Sequence, residues 1–313
     1  MKAPGFWTKR GLLAHLLAPL SVITAAVTAR RVNKTGFAPG IKVICVGNAG
    51  VGGAGKTVVT LDLLGRLQGP RFALTRGYRG RLTGPVLVNP ALHTARDVGD
   101  EALLLAAGAP TILAHDRAAG ARLALTQGAT TIVMDDGLQN PSLTKTLSLL
   151  VIDGGYGFGN LLLLPAGPLR EPVAAAAARV QAAVLIGEDE TGALSHLPAT
   201  LPVLRARQVP ECAAELGGRK IVAFAGIGRP EKFFASVRAL GGHLVATHAF
   251  PDHHVYRASD SARLLGEAMA QGAQLVTTAK DYVKLPGTLR AASAVITVRL
   301  HWDDEAALKR LLA

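Results

Sequence analysis

Short apolar runs of strand length alternate along the chain with longer stretches whose apolar positions recur every three to four residues. Runs at 42–46, 72–75, 111–114, 130–135 and 148–152 are rich in Val, Ile and Leu, with charge only at their ends. Such runs read as strands buried on both faces. Helical patterns lie near 56–68, 100–107 and 117–126, and the alternation predicts a parallel sheet with covered faces. A second set begins near Lys220, with strands expected at 221–225, 244–250, 274–278 and 294–299 and helices at 231–240, 259–270 and 303–312. Between the sets, Asp153–Asn160 (DGGYGFGN) reads as a flexible loop, and the three prolines of Leu164–Pro172 (LPAGPLREP) exclude a helix interior. The expected organisation is a core at 36–215 and a second, smaller α/β lobe at 216–313, preceded by a hydrophobic segment at 1–35.

That first segment changes the picture. Residues 11–29 (GLLAHLLAPLSVITAAVTA) carry no charge and are flanked by Lys9-Arg10 and Arg30-Arg31. Nineteen residues just reach the length that spans hydrocarbon. His15 and Pro19 weaken a spanning helix, though spanning and interfacial placement both stay open, and no disulfide-rich exported domain follows, which argues against a signal peptide. An interfacial, membrane-associated helix with Phe6 and Trp7 near its start is the favoured reading. A helix buried against the soluble body is the alternative. Net charge is +12, and no Asp or Glu precedes Asp62, whereas Lys2, Lys9, Arg10, Arg30, Arg31, Lys34, Lys42 and Lys56 do. This end suits an anionic lipid surface, a polyphosphate or nucleic acid, and charge alone does not choose among them. Two cysteines in 313 residues form no disulfide framework and no CxxC metal site, and Cys45 sits in a core-like run. Aromatics at 4% favour helices packed on a sheet over a Tyr- and Trp-rich binding module.

The most specific chemistry follows the run at 42–46. Gly50-Val51-Gly52-Gly53-Ala54-Gly55-Lys56-Thr57 matches GxxxxGK[ST] in full, between a strand and a helix. The glycines let successive backbone N–H groups cradle phosphate oxygens, and the helix N-terminus adds partial positive charge. Lys56 can reach the β- and γ-phosphates, and the Thr57 hydroxyl can ligate Mg²⁺. No guanine-reading NKxD motif accompanies the loop, so ATP is expected.

Other groups gather at predicted strand ends. Thr130–Gly137 (TTIVMDDG) ends a strand in Asp135 and Asp136, where a carboxylate can hold Mg²⁺ or its waters. The two neighbours point to opposite sides of the strand and so should differ in role. Asp97, Asp100 and Glu101 precede a helical run, where capping competes with catalysis and is favoured by pattern alone. Asp252-His253-His254 follows a strand and is a catalytic candidate rather than a zinc site, since no second pair stands at helical spacing. Thr75–Arg81 (TRGYRGR) could bind phosphate, sugar or nucleic acid, or be a solvated loop.

Taken together, GNAGVGGAGKT (47–57), TRGY (75–78), DVGDE (97–101), DDGLQ (135–139), DGGYGFGNLLLLPAGPLREP (153–172), FAGIGRPEKFF (224–234), FPDHH (250–254) and TTAKDYVKL (277–285) resemble the tetraacyldisaccharide 4′-kinases of lipid A biosynthesis. The blocks run in the family's order over almost the whole chain. LLPAGPLREP and FPDHH together are specific, where the phosphate loop alone is not. Val58 and Ala102 stand where many relatives have proline, and neither position supplies a functional side chain. The resemblance implies a P-loop NTPase-type α/β fold whose second lobe closes over the nucleotide. It implies transfer of the ATP γ-phosphoryl group to the 4′-hydroxyl of an acylated glucosamine disaccharide phosphate, giving lipid IVA, at the cytoplasmic face of the bacterial inner membrane. It implies Asp100 as base, oriented by His253, with Lys56 neutralising charge. Thr57, Asp135, Asp136, Glu101 and Glu171 would serve Mg²⁺, and Asn48, Arg76, Tyr78, Gln139 and Arg170 the substrate. Neither nucleic acid nor an obligate protein partner is expected. From the residues alone, a P-loop ATPase that positions a membrane partner, a nucleic-acid binder and a soluble α/β kinase for another sugar stay open.

Overall fold

The computed structural model describes residues 4–313; Lys2, one of the eight early cations, lies outside the described residues. Among the described residues, twelve strands form one sheet: β1 Lys42–Gly47, β2 Arg71–Thr75, β3 Val86–Leu87, β4 Thr111–Leu113, β5 Thr131–Asp135, β6 Leu147–Asp153, β7 Ala182–Ile186, β8 Val203–Cys212, β9 Lys220–Ala225, β10 His243–Ala249, β11 Gln274–Thr278 and β12 Ser293–Trp302. Their order is β10-β9-β11-β12-β8-β7-β6-β1-β5-β2-β4-β3. All pairs are parallel except β8 with β12 and β3 with β4. The expected α/β class is therefore present, with β1 lying between β5 and β6.

Period-two alternation divides β1 between two cores. Val43 and Cys45 face the layer containing Ala121 and Ala124 of the helix Arg117–Thr126. Ile44 and Val46 face Val59, Leu63 and Leu64 of the helix Lys56–Arg66, together with Leu308 of the last helix. Both faces are covered, which explains the uninterrupted apolar run. The Cys45 thiol is fully buried, and burial pushes its pKa up to about 11, so it is packing rather than a nucleophile. β9 repeats the pattern. Ile221 and Ala223 pack on Phe233, Phe234 and Val237, while Val222 and Phe224 pack on Leu264, Ala268 and Leu289.

Two long strands make the sheet continuous. β8 pairs with β7 over Val203–Ala206 and with β12 over Ala206–Cys212, while β12 pairs with β11 over Ser293–Ile296. The outer lengths of β8 and β12 thus form a two-stranded ribbon between the halves. After it the chain turns back: Trp302 donates to Asp62 at 2.9 Å, Arg66 pairs with Glu305, and Lys42 bonds the carbonyls of Leu312 and Ala313. The last helix, Glu305–Leu312, expected within 216–313, packs on the first half.

The amino-terminal hydrophobic segment is helical from Leu12 to Val32 and has few buried residues. A 3-10 turn at Ala18–Leu20 accommodates Pro19. Leu12 is 80% exposed, and Leu16, Val22, Ile23 and Val27 are also exposed. The other side is tied down by polar bonds: Ser21 and Thr24 donate to the carbonyls of Leu163 and Leu164 at 2.8 and 2.7 Å, and Trp7 donates to Pro165 at 3.1 Å.

Candidate active site

The phosphate loop leaves β1 and enters the helix Lys56–Arg66 through Gly55, whose φ of 87° is a left-handed conformation that glycine adopts freely. The proline-rich block splints the loop from outside. Val51 N–H donates to Pro168 at 2.8 Å, Arg170 N–H donates to Ala49 at 2.8 Å, and Gly50 bridges Leu169. Lys56 Nζ rests on Asn48 Oδ1 at 3.1 Å and Gly52 O at 3.3 Å, with Asp136 at 3.6 Å.

β1 and β5 place Val46 beside Asp135. Asp135 is buried and accepts from Thr60 Oγ1 at 3.0 Å and Thr57 Oγ1 at 3.4 Å. Burial first, and then the charge of Asp136, push its pKa up to about 6. Asp136 behaves oppositely: burial is outweighed by Lys56 and Arg170, which bring it to about 2. Arg170 holds it with two nitrogens, at 3.0 and 3.2 Å, and the Asp136 backbone that presents the carboxylate sits at φ 51°. The two carboxylates, adjacent in sequence, therefore have different jobs. Thr57, Asp135 and Asp136 form an all-oxygen set suited to a hard cation such as Mg²⁺, and a desolvated carboxylate above its ordinary pKa is a group that a cation would relieve. Among the described residues, no group of three or more His, Cys, Asp or Glu side chains converges on one metal position by itself.

Glu171 is committed elsewhere. Both of its oxygens accept from Arg179, at 2.8 and 2.6 Å, and one also accepts from Gln139 at 2.8 Å. Gln139 in turn donates to Asn48 O at 2.8 Å and accepts from Arg170 at 3.2 Å. Glu171 therefore braces the loop through Gln139 instead of offering a free carboxylate.

The second carboxylate centre spans the two halves. Asp97 caps its own short turn, Ala95–Val98, in a reciprocal capping box with Thr94. Asp100 makes no cap bond. It opens the helix Asp100–Gly108 after Gly99, where a Cβ would land on the carbonyl oxygen of Tyr78. Its Oδ2 contacts His253 Nδ1 at 3.1 Å and Lys284 Nζ at 3.1 Å. Burial opposes ionisation, but the bond from His253 and the charge of Lys284 prevail and hold Asp100 below the usual carboxylate range. The adjacent histidines also separate in role. His254 pairs with Asp260 at 3.0 Å and stacks on Phe250, whereas His253 crosses to the first half. Tyr78, exposed, lies edge-on to His253 with centroids 5.8 Å apart, and Arg76 is exposed on the same loop. Glu101 pairs with Lys280 at 3.3 Å, and Lys280 also reaches Asp252 at 3.3 Å. Burial lowers the pKa of Lys280, but Glu101, Asp252 and Asp100 outweigh it and raise the value. Lys280 and Lys284 carry no motif that chemistry alone would flag. The available signal is their place just past β11, at the carboxyl edge of a parallel sheet where ligands bind.

One prediction follows from Asp135. Its folded pKa is raised, so the folded protein holds a proton more tightly than the unfolded chain between its ordinary value of 3.8 and about 6. Stability falls as pH rises through that window, and the deficit is complete above it. Asp135→Asn should therefore raise the stability of the ligand-free protein at pH 7 by about 1–3 kcal/mol. The gain should vanish near pH 4, as read by urea unfolding at both pH values.

A family profile described as tetraacyldisaccharide-1-P 4′-kinase matches residues 13–313. The chain is 55% identical to the tetraacyldisaccharide 4′-kinase of Gluconacetobacter diazotrophicus over 318 residues, covering 100% of this chain and 97% of that one. It is 54% identical to the enzyme of that name from Methylorubrum populi over 322 residues, covering 100% and 98%. It is also similar to a crystal structure of LpxK from Aquifex aeolicus, described as an "apo" form in complex with ATP, with a TM-score of 0.77 at 26% identity, covering 96% of this chain and 98% of that one.

Proposed function

This chain belongs to the tetraacyldisaccharide-1-P 4′-kinase family, and from that premise we propose how its own residues carry out the reaction. It is an ATP-dependent kinase that transfers the γ-phosphoryl group to the 4′-hydroxyl of the tetraacyl glucosamine disaccharide 1-phosphate.

A sugar hydroxyl is a weak nucleophile, and its proton must be accepted as it attacks phosphorus. Asp100 is the base. The observation that carries this reading is the 3.1 Å contact between Asp100 Oδ2 and His253 Nδ1, made across the two halves by a carboxylate that caps no helix. Asp100 Oδ1 has no hydrogen-bond donor among the described residues, and it is the oxygen that takes the proton. His253 orients the carboxylate, with Tyr78 against its ring.

Lys56 leaves Asn48 and Gly52 for the β- and γ-phosphates when the nucleotide arrives. Backbone N–H groups of Gly50 to Thr57 cradle the phosphates. Arg170 keeps Asp136 oriented, and Asn48 and Gln139 hold the loop edge where the sugar docks. Thr57, Asp135 and Asp136 would hold Mg²⁺, with Glu101, whose Oε2 has no hydrogen-bond partner among the described residues, as a further ligand. When bound, the cation neutralises charge on the phosphate oxygens. Closure of the two halves excludes water and limits wasteful hydrolysis.

The exposed apolar side of Leu12–Val32, with its basic flanks, supports an interfacial helix resting on an anionic bilayer. The acceptor lipid reaches the site from that surface, at the cytoplasmic face where ATP is available. The reaction is tested with radiolabelled ATP and a detergent-dispersed acylated disaccharide 1-phosphate. The expected product is a bisphosphorylated lipid carrying the label. ATP hydrolysis without labelled lipid would overturn the acceptor and leave an ATPase.

A further inference from the structure

The block TTAKDYVKL (277–285) supplies two lysines to the cleft, and one of them touches the base itself. Lys284 is 4% exposed at its side chain and bridges two buried carboxylates, Asp100 Oδ2 and Asp281 Oδ1, each at 3.1 Å. Asp281 is fully buried and already engaged: its Oδ2 accepts from Gly226 N–H at 2.9 Å and from Thr278 Oγ1 at 2.7 Å. Those bonds tie Asp281 to the ends of β9 and β11, so the position of Lys284 is set by two strand ends of the second half. The centroid of the Tyr256 ring lies 5.9 Å from Nζ.

Resting on the reading of Asp100 as base, we infer that Lys284 is a positioning residue for phosphoryl transfer, fixing which oxygen of Asp100 receives the proton. An aspartate side chain has a broad, two-fold terminal torsion, so one donor leaves its two oxygens close to interchangeable. Here two donors from two different loops, His253 after β10 and Lys284 after β11, converge on the same oxygen. Oδ2 is saturated, Oδ1 is left for the acceptor hydroxyl, and the carboxylate cannot turn without losing both bonds. A lysine needed only to neutralise Asp281 would have no reason to reach the first half of the molecule.

The test compares Lys284→Met, Lys284→Gln and Lys284→Arg, each alone and combined with Asp100→Ala, normalised to the fraction of enzyme that binds a fluorescent ATP analogue. Lys284→Met should lower kcat by about 10- to 100-fold, the scale on which misplacing a reacting group acts. KM for ATP and for the lipid should stay within about threefold, because neither phosphate nor acyl contacts change. Lys284→Arg should recover at least about a third of kcat, because it keeps a charged donor. In the Asp100→Ala background, Lys284→Met should leave the residual rate within about twofold, because its target is gone. Equal losses in both backgrounds, or a parent-like kcat for Lys284→Met, would overturn the inference. Should Lys284→Met not fold, Lys284→Gln carries the same criteria. Full activity of Asp100→Ala would remove the base itself, a different failure from that of Lys284.

Discussion

Asp100→Asn is expected to lower kcat by about 10²–10⁴-fold, the usual worth of a positioned general base, with nucleotide affinity nearly unchanged. Asparagine keeps the size of the side chain and a partner for His253, but it cannot take a proton. The phosphate loop, Lys56 and the Asp135–Asp136 pair have no direct bond to Asp100 and should bind ATP as before. Steady-state transfer of label to the lipid gives kcat, and titration with an ATP analogue gives affinity. A loss of less than tenfold would return Asp100 to a structural role at the start of its helix. The substitution also removes a carboxylate held below its usual pKa. The stability that it contributes is present above its unfolded pKa and is lost as pH falls through the folded one. Activity should therefore be compared at neutral pH, after thermal unfolding has shown the variant to be folded.

Lys56→Ala should lower kcat by about 10²–10³-fold, the scale for removing one preorganised charge from a transferring group. Its effect on the fold should be small. Asp136 retains the two-nitrogen grip of Arg170, and Asn48 Oδ1 and Gly52 O sit at a site that water can reach once the lysine is removed. The stabilisation of the protein by Mg·ATP should also shrink, because any lost affinity appears directly as lost ligand-induced stability. Thermal unfolding with and without nucleotide reads this. A variant that keeps full turnover would place charge neutralisation elsewhere, with Arg170 the nearest candidate.

Much of the first half could be read from sequence because local pattern and tertiary role coincide there. β1 is a both-face-buried strand followed by a glycine loop and a helix, and each level points to the same answer. β7 was hidden for the opposite reason. The residues Ala174 to Ile186 are nearly all small and apolar, and no periodicity separates the short helix Val173–Ala177 from the strand Ala182–Ile186. β8 was hidden by its composition. Arg205, Arg207, Gln208 and Glu211 are exposed, and Pro210 lacks an N–H, so the segment resembles a loop. A ribbon with one partner tolerates both features, which a central strand would not.

The site divides along similar lines. Phosphate chemistry imposes a contiguous pattern, so Gly50 to Thr57 and the tandem Asp135 and Asp136 stand out in the linear chain. The pairing of Asp100 with His253 joins residues 153 positions apart, and only the folded sheet brings them together. Lys284 lies in the TTAKDYVKL block, but sequence assigns it no role, because a lysine after a strand carries no chemical signature of its partner. Glu171 could be misjudged because sequence cannot show that Arg179 and Gln139 already occupy it.

The loop from Asn160 to Arg170 touches two things at once. It receives Trp7, Ser21 and Thr24 from the amino-terminal helices on one side, and it splints Gly50 and Val51 on the other. Under the proposed placement on the bilayer, the catalytic centre therefore stands at a fixed height above the lipid plane, not on a slack tether. Such an enzyme meets its acceptor by lateral diffusion in two dimensions. Its turnover then follows the mole fraction of acceptor within the surface, and inert lipid acts as a diluent even when the bulk concentration of acceptor is held constant.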